Sequence, residues 1–215
     1  MLDKIFEIVW SIPAVLIAIT LHEYSHGRMA YQLGDPTAAE AGRLTLNPLA
    51  HLDPMGTLML LLFRFGWAKP VPVNFNRLNH PKRDMIYVSL AGPIANMTIA
   101  VIFALILRLS YYFIGQITMT QNSSFFNLSI TMLRGWLLFL QTGVIINLAL
   151  ALFNLIPVPP LDGSKILLGF LPDPQAYKFA KLEPYGPIFL LILILSGIIG
   201  KVLFPIVFFL FRLIV

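Results

Sequence analysis

The chain has 215 residues, 58% of them apolar and 12% charged, with fifteen Lys or Arg against ten Asp or Glu for a formal charge of +5. Nearly five apolar residues for each charged one exclude an ordinary water-facing surface and place the chain in a membrane. The lack of cysteine excludes disulfides and thiolate chemistry, leaving His and carboxylates as the strong metal ligands. The basic residues, scattered among apolar runs, read as topology signals rather than as a nucleic-acid surface.

The first apolar segment, from Ile5 to Leu21, carries Glu7 and Pro13 and continues in helical register through HEYSHGRMAYQLG until Gly34, Asp35 and Pro36 stop it. This predicts one long helix with a polar inner end, and the segment lacks the basic leader and small-residue cleavage site of a removable signal. From Asp35 to Asp84 the chain is rich in Pro, Gly and Asn. Here Gly42–Leu46 and Val71–Phe75 predict short β pieces around an apolar run, Met55–Phe65, that is too short to span and is expected to be re-entrant or interfacial. The uncharged runs Met85–Leu107 and Gly135–Leu161 are each long enough to cross a hydrocarbon core of roughly 30 Å. The last run, Pro187–Val215, is interrupted by Gly197, Gly200, Lys201 and Pro205 and predicts one kinked helix rather than two. The expectation is an all-α polytopic membrane protein with three principal helices, one or two further membrane helices, and short β pieces and a re-entrant segment after the first helix. It forms a single domain over residues 1–215.

Arg28, Arg43, Arg64, Lys69, Arg77, Lys82 and Arg83 lie between the first two spans, whereas Leu109–Leu133 carries no charge. The first loop is therefore expected to face the cytoplasm, with Lys165, Lys178 and Lys181 on the same side and the Asp3, Lys4, Glu7 terminus outside.

His22, Glu23 and His26 form H-E-x-x-H on the first helix, so both imidazoles share one face, one turn apart, as a zinc site requires. With four His and four Glu in the chain, chance produces this triple in roughly one such sequence in 700. Ionisable groups at membrane depth cost on the order of 3 kcal/mol each, so they need a partner or a task. A plain role as satisfied polar groups at the boundary explains the spacing less well. A catalytic zinc takes three protein ligands and keeps the fourth position for water. Asp162 is the candidate for the third, because three prolines in Asn154-Leu-Ile-Pro-Val-Pro-Pro-Leu-Asp-Gly163 break an apolar helix at membrane depth. The competing role for Asp162 is a helix N-cap; the missing ligand favours the metal. Glu23 cannot easily bind the same ion but can take a proton from the zinc-bound water, which makes it the candidate general base.

These residues resemble the site-2 protease family of intramembrane zinc metalloproteases. The resemblance rests on H22-E-Y-S-H26, G92-P-I-A-N96 and N154-L-I-P-V-P-P-L-D162-G163, joined by G42-R-L-T-L-N-P-L-A-H-L-D-P-M-G56 and W67-A-K-P-V-P-V-N74. It implies a three-span catalytic core of the compact prokaryotic type, one Zn2+ held by His22, His26 and Asp162, Glu23 as base, and transmembrane segments as substrates. Asn154 matches a family position where the resemblance suggests help with the oxyanion or the substrate backbone; its plain alternative is an interhelical hydrogen bond.

Other polar residues have simpler expected roles: a turn or cap for Asp53, a boundary position for His51, a solvated loop for His80, and helix packing for Gly92, Asn96 and Asn147. Two other function classes compete. A metal-ion transporter or channel would show repeats and further ligands along a path, and would not need Glu23 between the histidines. A non-catalytic scaffold would not need the full set of ligands plus base. The best-supported expectation is a zinc-dependent endopeptidase acting on membrane proteins near the cytoplasmic side, embedded in the bilayer and without nucleic-acid partners.

Overall fold

The computed structural model describes residues 2–63, 66–117 and 125–215; Arg64, residues 118–124 of the uncharged loop, and the side chains of Asp3 and Lys4 lie outside it. The expected first helix is α1, Leu2–Gln32, unbroken through Pro13. It stops at Gly34, whose φ of +106° lies in the left-handed region that favours glycine. The second and third spans are α4 (Pro81–Ile117) and α5 (Phe125–Asn154). Helices α2 (Thr37–Glu40) and α3 (Pro54–Phe63) lie in the loop between α1 and α4. At ten residues α3 rises only about 15 Å, half a bilayer core.

Helices α1, α4 and α5 pack on one another through small side chains. Ala14, Ala18 and Ala30 of α1 are fully buried. Ala100 and Ala104 of α4 meet Val144 and Leu148 of α5 and Val207 of the last helix. Small residues let helix backbones approach closely where lipid supplies no hydrophobic drive for association. The opposite face of α4 leaves Val101, Ile102, Leu105 and Leu109 about half exposed, as suits contact with lipid. Among the described residues three helices are long and apolar enough to cross a membrane, or four if the bent final pair counts as one span.

Two expectations are corrected, the β pieces and the single kinked tail helix. The β pieces do not form: among the described residues the one strand-like pairing is an isolated bridge between Leu52 and Ala68. Residues 42–43 instead close the turn after α2, with the N–H of Arg43 donating to Ala38 O at 2.8 Å. In the 71–75 segment Pro70 and Pro72 have no N–H, and the N–H groups of Val71 and Asn74 donate to the carboxylates of Glu23 and Asp35 at 2.8 and 2.7 Å. Two of the segment's donors thus go to side chains of other segments rather than to a strand partner. The third span ends at Asn154, at the proline break that the sequence announces, because Pro157, Pro159 and Pro160 cannot continue an α-helical ladder.

The tail is two helices, α8 (Gly186–Leu195) and α9 (Ile198–Ile214), and the stretch Asp173–Leu195 that ends in α8 meets α9 at a bend of 72°. Gly197, at φ +72°, ends α8 with its N–H on Ile194 O, whereas Pro205 is accommodated inside α9. His51 is fully buried, its Nε2 2.8 Å from Thr45 O. Asp53 has the cap role expected of it, accepting from the N–H of Gly56 at 2.7 Å, and His80 lies in an exposed loop.

Candidate metal centre

Helical periodicity puts His22 and His26 on the buried side of α1, facing α4. Their Nε2 atoms are 3.0 Å apart. The prolines after α5 turn the chain so that α6 (Asp162–Phe170) begins beside them. Asp162 is its first residue, and Oδ2 lies 3.2 Å from each histidine Nε2. Leu161, not Asp162, is the N-cap; the backbone oxygen of Leu161 accepts from the N–H and the hydroxyl of Ser164 at 3.0 and 2.7 Å. Asp162 Oδ2 is buried and makes no hydrogen bond. The capping role weighed for Asp162 is therefore filled without its side chain. Gly163 lets the α6 start lie against the turn, since a Cβ there would stand 2.5 Å from Ile156 O.

The other ring nitrogens decide what the Nε2 atoms present. His22 Nδ1 lies 2.6 Å from Asn96 Oδ1, and His26 Nδ1 lies 2.7 Å from Val88 O. Asn96 is oriented by its own partners, because its Nδ2 donates to Ala18 O at 3.1 Å and to Asn147 Oδ1 at 2.7 Å. Asn147 Nδ2 in turn donates to Gly143 O at 2.8 Å. Val88 O and Asn96 Oδ1 can only accept, so each imidazole carries its hydrogen on Nδ1 and turns a lone pair inward from Nε2. Two imidazole lone pairs and a carboxylate oxygen thus converge on one point. A single proton satisfies one pair of them; a metal cation satisfies all three.

The spacing suits zinc. A tetrahedral ion with bonds of about 2.0–2.2 Å holds its donors roughly 3.3–3.6 Å apart, and the separations here, 3.0, 3.2 and 3.2 Å, are a few tenths shorter. Among the described residues these three form the one group of His, Asp or Glu able to hold a metal. Gly92 completes the cradle, because a Cβ on it would stand 2.7 Å from His22 Nε2 and closer still to His26 Nε2.

Two candidates lie differently. Glu23, beside the first histidine, accepts the N–H of Val71 on Oε2 at 2.8 Å. Asn154, at the end of α5, donates from Nδ2 to Leu150 O of its own helix at 3.0 Å, a bond within α5 and not the interhelical one weighed as its plain alternative. Sequence reasoning assigned Gly92, Asn96 and Asn147 to packing alone, and missed that they seat the histidine rings. Two amides buried in apolar spans, with Gly92 and Asn96 one helical turn apart, were the available signal.

A model of peptidase family M50 matches residues 10–195. The chain belongs to that family. This M50 protein is 38% identical over 193 residues to "Putative zinc metalloprotease YwhC" of Bacillus subtilis, covering 89% of this chain and 82% of YwhC. It is 29% identical over 211 residues to "Putative zinc metalloprotease Rip2" of Mycobacterium tuberculosis, covering 95% of this chain and 74% of Rip2. With "Zinc metalloprotease MJ0392" of Methanocaldococcus jannaschii it shares 24% identity over 198 residues, 90% of this chain and 45% of that one. No solved structure matches. This M50 chain is thus a zinc metalloprotease, a hydrolase of peptide bonds, in a multi-pass helical frame.

Proposed function

We propose that the chain, as a single domain over residues 1–215, binds one zinc ion through His22 Nε2, His26 Nε2 and Asp162 Oδ2 and hydrolyses peptide bonds within transmembrane segments of other proteins, toward the cytoplasmic side. The observation that carries this reading is the convergence of three buried lone pairs, one of them on a carboxylate oxygen without a hydrogen bond. When bound, zinc supplies a water of lowered pKa and polarises the scissile carbonyl.

The protein's own groups do the rest. Glu23 takes the proton of the attacking water and delivers it to the leaving amine. The Val71 N–H occupies Oε2 of Glu23 and leaves Oε1 as the proton-accepting oxygen. Asn96 and Val88 hold the histidine rings so that neither rotates off the ion. Asn154 keeps one N–H on Leu150 O and offers the other to the substrate backbone or the developing oxyanion. The basic residues flanking α4 and α6 support a cytoplasmic location for this end of the molecule.

Glu23→Gln tests the reading. In purified protein given single-span substrates, the variant is expected to retain zinc and to lose cleavage by about 10²- to 10⁴-fold. Undiminished cleavage removes Glu23 from the mechanism, and loss of zinc in the same variant removes the separation of ligands from base.

A further inference from the structure

Helix α6 leaves the metal centre and runs back along α4 toward its start. A Cβ on Gly169 would meet Ile86 Cδ1 at 2.8 Å and Lys82 O at 3.1 Å. The next helix, α7 (Asp173–Ala180), is tied at that level by Lys82 Nζ, which donates to Asp173 Oδ1 at 2.6 Å. The chain then returns: Glu183 pairs with Lys165 of α6, and Gly186 abuts Pro159, three residues before Asp162. From there it enters the apolar α8. Residues 171–185 therefore make an excursion from the depth of the metal centre to the rim where α4 begins, and go back into the apolar layer.

This rim segment has an unusual surface. Phe170, Tyr177, Leu182 and Tyr185 are 57–72% exposed, a run of aromatic and aliphatic groups suited to the layer between headgroups and acyl chains. The acidic residues of the excursion, Asp173 and Glu183, are each held by a lysine from a neighbouring helix. Among the described residues the ion pairs leave Lys178 and Lys181 without an acidic partner. These two lie one helical turn apart, and Lys181 Nζ sits 4.4 Å from the centre of the Tyr177 ring. The uncompensated charge is positive and lies beside exposed aromatic side chains.

We propose that α7 and the turn leading to Tyr185 form a docking surface for anionic phospholipid headgroups, with Lys178 and Lys181 on the phosphates and Phe170, Tyr177, Leu182 and Tyr185 in the boundary layer.

The test uses the full chain in nanodiscs of phosphatidylcholine with or without about a third phosphatidylglycerol, with retained lipids counted by native mass spectrometry. The wild type is expected to retain phosphatidylglycerol preferentially, on the order of fivefold per lysine, and to lose the preference as salt rises. K178Q/K181Q is expected to abolish the preference with zinc content and helicity unchanged, and K178R/K181R to restore it. Equal retention of both lipids by the wild type, or a preference that survives in K178Q/K181Q, overturns the proposal. Displacement of the phosphatidylglycerol by millimolar inorganic phosphate overturns the lipid assignment in favour of a free-phosphate site. Should the double variant fail to fold, the single variants K178Q and K181Q are each expected to lower the preference severalfold, and wild-type preference in both overturns the proposal.

Discussion

Gly92 is the position where one added carbon atom most directly challenges the metal centre. A methyl group there stands 2.7 Å from His22 Nε2, whereas ordinary contact begins at 3.4 Å, so the ring must retreat by about 0.7 Å. His26 must yield further, because its Nε2 is the nearest atom to the new Cβ. Metal sites tolerate ligand displacements of roughly 0.2 Å. The rings cannot simply pivot, since Asn96 and Val88 hold their Nδ1 atoms from behind. Overpacking of this kind costs about 1–3 kcal/mol, which at 1.4 kcal/mol per decade lowers zinc affinity roughly 5- to 150-fold. The helix itself gains from the exchange, since Gly→Ala inside a helix stabilises it by up to about 1 kcal/mol. Gly92→Ala is therefore expected to keep its helicity and weaken zinc binding, a combination that general misfolding does not produce. Chelator competition measures the affinity, and the visible spectrum of the cobalt-substituted protein reports the coordination geometry. Wild-type zinc affinity and an unchanged cobalt spectrum in Gly92→Ala refute the cradle argument.

Further outcomes follow from the same geometry. Asn96→Ala removes the acceptor on His22 Nδ1 and is expected to cost 10- to 100-fold in zinc affinity, read by the same chelator competition. Asn147→Leu removes the acceptor that orients Asn96 and should weaken binding in the same direction, while Asn147→Asp keeps an acceptor there and should recover most of the loss. Gly163→Ala places a Cβ 2.5 Å from Ile156 O, backbone that cannot yield, and is expected to lower thermal stability by about 1–3 kcal/mol and release zinc. Stripping zinc should abolish cleavage and lower the midpoint of thermal unfolding, since zinc at a hundredfold excess over its Kd contributes about 2.7 kcal/mol to the folded state. Zinc readdition should restore both.

The local parts of this protein were legible in the amino-acid order because they obey short-range rules. The 3.6-residue period places His22 and His26 on one face of α1 whatever surrounds them, and the lengths of the apolar runs mark α1, α4 and α5 as spans. Proline chemistry likewise announces a break before Asp162. Where competing local preferences were close, the order of residues misled: Val71–Phe75 has the composition of a strand, yet Glu23 and Asp35 take the N–H groups that pairing needs. The final segment shows the same limit, since Gly197, Lys201 and Pro205 all interrupt it and only the fold makes Gly197 the break.

The centre itself is a product of tertiary contact. Asp162 stands 136 residues beyond His26 and reaches it because α6 packs back along α4. Inward lone pairs depend on an amide and a backbone oxygen of α4 that meet the α1 histidines, and on an amide of α5 that holds the α4 amide in place, all across helix interfaces. Helical periodicity carries no information about such partners, because burial and hydrogen-bond satisfaction across interfaces are settled only when the helices pack.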